Sequence, residues 1–144
     1  MRATYDELKK VLEGRSIIAY QAHGIEIDVT ASGFPLRVPS DSFFLPATHT
    51  SNPDEWAVAA KEKMPGLVAL LIPGTAFDEH GTRHGRGYGW YDRFLSSVPR
   101  EWVRIGVAPL GTFSTTVLTR EKWDEPMDWI LAETASGFEY YRTN

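Results

Sequence analysis

LVALLIPGTAFDEHGTRHGRGYGWYDRFLSSVPREWVRIGVAPL, residues 67–110, holds most of the fold in one stretch. LVALLI (67–72) is an unbroken apolar run with Pro-Gly on either side, the pattern of a central strand covered on both faces. VRIGVAPL (103–110) is a second run of the same kind. Between them, Gly89 to about Val98 has helical spacing with Trp90, Phe94 and Leu95 on one side, and Pro99 ends it. Strand, glycine-rich loop, helix, strand is a βαβ unit. Its right-handed crossover puts the loop at the carboxyl end of the strand, where open α/β sheets bind ligands.

The flanks extend the same reading. Thr4 to Glu7 has the spacing of a capping box, with Tyr5, Leu8, Val11 and Leu12 on one helical face and Gly14 as the stop. SIIAYQA (16–22) reads as a strand, and IEIDV (25–29), which alternates apolar and acidic, as a half-exposed one. Residues 30–49 are rich in Pro, Ser and Gly, with LRV (36–38) as the only strand candidate. Asn52-Pro53-Asp54-Glu55 opens a helix that runs to about Met64. WILAE (129–133) is a third buried strand and FEYY (138–141) a small final one. The expectation is a single α/β domain over 1–144.

The chain has 144 residues, no cysteine, and 15 basic against 19 acidic residues for a net charge of −4. That excludes a disulfide framework and thiolate chemistry. It argues against nucleic acid as a partner, which calls for a basic face. No apolar stretch approaches a membrane span, and MRATYDELKK has no secretory apolar region, so a cytoplasmic protein is expected. The oligomeric state is not written in the sequence.

Residues 73–89 form a loop of about 17 residues, a length that is usually functional or disordered. Gly85, Gly87 and Gly89 alternate, so backbone N–H groups can wrap an oligophosphate at a helix start, with Arg83 and Arg86 adding charge. The competing reading is a surface loop whose glycines only make turns. Asp92 would repel an anion unless a Mg²⁺ ion lay between them; otherwise it simply favours the helix start. Asp124 and Asp128, four apart, precede a buried strand. Asp128 borders that strand and could reach toward a metal at the sheet edge, and Asp124 reads as a solvated acid. The four histidines read as polar loop residues, and Trp56, Trp102, Trp123 and Trp129 as packing.

These residues carry a resemblance. PGTAFDEHGTRHGRGYGWYDRFL resembles the signature of the 5-formyltetrahydrofolate cyclo-ligase family: P-G-x-A-F-D, a turn, then R-x-G-x-G-x-G-[YF]-Y-D-[RK]. Every position is met except that Trp90 stands where Tyr or Phe is usual. RIGVA (104–108) and WDEPMDWILAE (123–133) resemble the segments that follow. The resemblance covers about residues 67–133. It implies a three-layer, Rossmann-like α/β fold with a mostly parallel sheet, similar to sugar-phosphate isomerases and CoA transferases.

It also implies ATP- and Mg²⁺-dependent cyclisation of 5-formyltetrahydrofolate to 5,10-methenyltetrahydrofolate with release of ADP and phosphate; the alternatives are a nucleotide- or phosphate-binding relative without that reaction and a sugar-phosphate enzyme on the same fold. The partners would then be a folate and a nucleotide. Carried over by position, Arg83, Gly85, Arg86, Gly87, Tyr88, Gly89, Trp90 and Tyr91 hold the ATP phosphates. Arg86 and Tyr91 are the catalytic candidates. Asp92 and Asp128 match the magnesium carboxylates, and Glu26 and Trp90 would touch the folate. Lys9, Lys10 and Arg15 are loose candidates for the family's N-terminal ATP contacts. The chain departs from the family after Glu26, where TASGFPLRVP replaces a helix, and before the central helix, where LPATHTSNPDEW lacks a Glu-Pro pair.

Overall fold

The computed structural model describes residues 1–87 and 89–143. In chain order the elements are β1 (Arg2–Ala3), α1 (Tyr5–Leu12), β2 (Ser16–Tyr20), β3 (Phe43–Leu45), α2 (Pro53–Lys63), β4 (Val68–Pro73), β5 (Ala76–Asp78), β6 (Arg83–His84), α3 (Trp90–Ser96), β7 (Val103–Ala108), β8 (Phe113–Ser114), β9 (Trp129–Thr134) and β10 (Gly137–Arg142). Seven strands form one sheet in the order β1-β10-β9-β7-β4-β2-β3. β3, β2, β4, β7 and β9 run parallel, and β10 and β1 close one edge antiparallel. β4 is buried at all six positions, as its apolar run requires. Each fully buried Leu or Ile there contributes about 1.5–3 kcal/mol.

Side-chain alternation along the paired strands sorts the layers. Tyr141, Ile130, Gly106, Ile72, Ile18 and Phe43 share one face through the ladder registers. On that face Phe43 meets Trp56 of α2, and Arg104 donates to the Leu95 carbonyl of α3. The opposite face carries Tyr140 against Tyr5 of α1, and Phe138 against Phe34. Helices α2 and α3 therefore lie on one side, and α1 with the segment around Phe34 on the other. This is the three-layer, mostly parallel α/β arrangement that the resemblance implied.

Helix starts agree with their sequence signals. Thr4 accepts the Glu7 N–H at 3.1 Å and Asn52 accepts the Asp54 N–H at 2.9 Å. The Glu7 carboxylate lies 4.0 Å from Arg142.

Three expectations are corrected. Residues 25–29 form turns, not a strand. Glu26 accepts the His23 N–H while donating its own N–H to the His23 carbonyl, and Asp28 accepts both the N–H and hydroxyl of Thr30. These local bonds satisfy backbone that a ladder would otherwise hold. Residues 36–38 are not the strand beside β2; Phe43–Leu45 takes that place. Within the 17-residue loop, β5 and β6 are strands, and with β8 they form a second small sheet in the order β6-β5-β8.

That small sheet is anchored by Phe77, fully buried against the main sheet. A Cβ at position 106 would strike the Phe77 ring, so only glycine lets β5 lie this close to β7. Asp78, also buried, accepts the N–H groups of His80 and Thr82 with one oxygen and that of Leu118 with the other. One carboxylate thus sets the turn of the signature and pins the β8–β9 connection beneath it.

Candidate active site

The cleft at the carboxyl ends of β2, β3 and β4 gathers most of the residues singled out above. Its volume is about 250 Å³, and its walls include Arg83, Arg86, the glycines 85, 87 and 89, Tyr91, Asp92 and Asp124. Tyr88 lies outside the described residues. Gly87 and Gly89 have φ of 86° and 67°, the left-handed region that glycine enters freely. Helix α3 is only seven residues long, so positive charge at the cleft comes chiefly from the arginines.

Arg83 is half-buried. Its Nε donates to the Pro73 carbonyl and its guanidinium sits 4.8 Å above the Tyr91 ring. Burial lowers its pKa, with Tyr91, Asp92 and Glu26 opposing; a guanidinium stays charged regardless. Arg86 spans to the β3–α2 connection, where its Nη2 donates to the Ala47 carbonyl at 2.8 Å and to Nε2 of His49 at 3.1 Å. The Glu26 carboxylate is 3.9 Å away. Among the described residues the buried Nε of Arg86 has no hydrogen-bond partner, a donor left over for an anion. Tyr91 is 2% exposed, and burial raises its phenol pKa, so it remains a proton-bearing donor.

Asp92 stands in the first turn of α3 and accepts the Glu125 N–H at 3.0 Å. Burial raises its pKa most, the Glu125 bond and Arg83 lower it, and Asp124 raises it further. Two carboxylates crowding one another in a cleft with arginines suit a divalent cation between acid and phosphate. Among the described residues no group of three or more His, Asp or Glu is placed to hold a metal unaided. A Mg²⁺ ion that takes one or two carboxylates with phosphate oxygens and waters does not need such a group.

Asp128 is not part of this constellation. It lies at the amino end of β9, where Arg100 donates to both its oxygens and Arg104 N–H adds a third bond. Asp124, read from sequence as a solvated acid, takes the place beside Asp92. It gets there because buried Arg104, 1% exposed, bonds Glu125 at 2.9 Å and draws residues 121–128 along α3.

Trp90 lines the cleft but is 3% exposed, with its ring stacked on His49 and Phe94 and its N–H donated to the Ser51 carbonyl. It is a wall of the site and leaves no open face for a ligand ring. Trp123, expected in packing, is 62% exposed at the rim. Glu26 does reach the site, through Arg86. His49 was missed: it packs on Trp90 and Tyr91 and holds Arg86. The only signal for it was its place between a strand and a helix start, and β3 itself was not legible. Arg15 is held away from the site. It donates to the carbonyls of Val11, Val68 and Glu101 at the amino edge of the sheet.

A cleft at the carboxyl edge of a mostly parallel sheet, lined by a glycine-arginine loop and a pair of acids, defines an α/β protein with a candidate small-molecule site. The sequence profile of the 5-formyltetrahydrofolate cyclo-ligase family matches residues 36–133, and the chain belongs to that family. It is 37% identical over 65 residues to the 5-formyltetrahydrofolate cyclo-ligase of Mycoplasma genitalium, covering 45% of this chain and 38% of that protein. To the Escherichia coli K12 protein of the same name it is 35% identical over 69 residues, covering 45% and 36%. These matches thus span less than two fifths of the curated relatives' length. A solved structure of a 5,10-methenyltetrahydrofolate synthetase from Mycoplasma pneumoniae has the same fold, with TM-score 0.54, 18% identity, and coverage of 87% of this chain and 79% of that one. Among the described residues no helix is long and apolar enough to cross a membrane.

Proposed function

We propose that this chain cyclises 5-formyltetrahydrofolate to 5,10-methenyltetrahydrofolate at the expense of ATP, with Mg²⁺, releasing ADP and phosphate. The observation that carries the reading is the single cleft that collects Arg83, Arg86, the three glycines, Asp92 and Asp124. A volume of about 250 Å³ suits a chain of phosphates better than a whole nucleotide.

In this reading the formyl oxygen of the folate takes the γ-phosphoryl group and ADP departs. N10 then adds to the formyl carbon, loses its proton, and phosphate leaves with the former formyl oxygen. The residues act by placement and charge. Arg86, with its unpartnered Nε, and Arg83 bind phosphate oxygens. The backbone of Gly85 to Gly89 lets the chain approach them closely. Tyr91, kept protonated, donates a hydrogen bond at the cleft wall. Asp92 and Asp124 would hold Mg²⁺, which neutralises phosphate charge when bound. Glu26 and His49 fix Arg86 from the two connections that follow β2 and β3.

One observation favours a second reading, a nucleotide-binding relative without the full reaction. Arg15, the arginine expected to supply an N-terminal ATP contact, is committed to backbone carbonyls at the far edge of the sheet. Incubation with 5-formyltetrahydrofolate, ATP and Mg²⁺ separates the two. Appearance of the methenyl chromophore, dependent on all three and lost in Asp92→Asn, supports the cyclo-ligase. Nucleotide binding with no chromophore supports the second reading.

A further inference from the structure

A second hollow of about 490 Å³ opens beside the phosphate cleft, along the outer side of α3. It is lined by Gly89, Asp92, Arg93, Ser96, Trp123 and Glu125. Gly89, Asp92 and Trp123 also line the first cleft, so the two adjoin and Trp123 stands on the divide. Two of the hollow's three charged groups are matched by partners, Arg93 by Asp54 at 2.7 Å and Glu125 by buried Arg104 at 2.9 Å, while Asp92 is shared with the first cleft. What remains for a ligand is a largely uncharged surface with one open indole, 62% exposed.

We propose that this hollow takes the purine base of the nucleotide, stacked on Trp123, while its phosphates occupy the neighbouring cleft. The inference rests on the phosphate reading of that cleft and adds where the nucleoside lies. A neutral heteroaromatic ring suits a surface whose one cation, Arg93, is already paired, whereas a folate's glutamate tail would meet the Asp92 and Glu125 carboxylates with no unpaired cation among the described lining residues. Stacking on an exposed aromatic is worth enough to dominate base affinity. Among the described residues, the other tryptophan and the tyrosine that line the cleft, Trp90 and Tyr91, are buried and cannot serve.

The test measures binding of ATP and of inorganic tripolyphosphate, each with Mg²⁺, to the wild-type chain, Trp123→Ala and Trp123→Phe by calorimetry. Trp123→Ala should weaken ATP about 5- to 100-fold, Trp123→Phe should retain most of the affinity, and tripolyphosphate should bind all three alike. Unchanged ATP affinity in Trp123→Ala would place the base elsewhere and overturn the proposal. Equal loss of ATP and tripolyphosphate would overturn it too, since Trp123 would then only shape the phosphate cleft. Loss of 5-formyltetrahydrofolate binding with ATP intact would assign the indole to the pterin instead. If the wild-type chain bound neither ATP nor tripolyphosphate, the phosphate reading itself would fall.

Discussion

Arg86 donates from Nη2 to Nε2 of His49 at 3.1 Å, joining the glycine loop to the β3–α2 connection. The bond requires a lone pair on Nε2, so the imidazole is neutral in the folded chain. Burial first, then the charges of Arg86 and Arg83, push its pKa down to about 4 from 6.5. Between those values the unfolded chain binds a proton that the folded chain refuses. His49 therefore makes stability fall as pH drops from 6.5 toward 4, with no such loss above 6.5. Denaturant midpoints measured at pH 7 and pH 5 should show a smaller difference for His49→Gln than for wild type. The same variant should weaken nucleotide binding about two- to tenfold by loosening Arg86. An unchanged pH difference would remove the imidazole from this account.

Asp92 works in the opposite sense. Its pKa is raised, chiefly by burial, so above its ordinary range near 3.8 the folded chain carries a carboxylate in a place that disfavours charge. The cost is absent below that range and complete once pH passes the folded pKa. Asp92→Asn retains an acceptor for the Glu125 N–H and removes the charge. At pH 7 the metal-free variant should melt about 1–4 °C higher than wild type, while Mg²⁺ ceases to strengthen nucleotide binding. A lower melting point would mean that the carboxylate stabilises the fold.

Trp90 belongs to the core as much as to the cleft. Removing its ring would strip contacts from His49, Tyr91 and Phe94 and leave the Ser51 carbonyl without its donor. Trp90→Ala should cost about 3–5 kcal/mol in urea unfolding, with loss of binding following from that. Full stability combined with lost folate affinity would instead make it a ligand-stacking residue.

Gly89 isolates backbone conformation from space. Nothing lies within 4 Å of where its Cβ would sit, yet its φ is 67°. Gly89→Ala should destabilise the chain by about 1–2 kcal/mol from the left-handed conformation alone, or shift the loop and weaken nucleotide binding instead. No change in either, measured by unfolding and calorimetry, would contradict the conformation assigned to the loop.

Residue order by itself determined the βαβ frame. LVALLI, VRIGVA and WILAE are long enough and apolar enough to be buried strands, and Asn52-Pro53 or Thr4 can cap helices with no help from distant residues. The placing of Arg83 and Arg86 in one glycine-rich loop, and of Asp92 in the helix turn it opens, followed too, because all three fall within ten consecutive residues.

Only tertiary structure decided who joins them. Whether Asp124 or Asp128 meets Asp92 depends on Arg104, twenty residues upstream, which pulls Glu125 onto α3 and leaves Asp128 to Arg100. His49 and Glu26 arrive because β3 and β2 end at the same edge as β4, and β3 carries too few residues to announce itself. Alternation at 25–29 promised a strand, but side-chain bonds from Glu26 and Asp28 to nearby backbone closed turns first. Local bonding and apolar period are written in consecutive residues. The pairing of charges across a cleft is fixed only when separate strands bring their ends together.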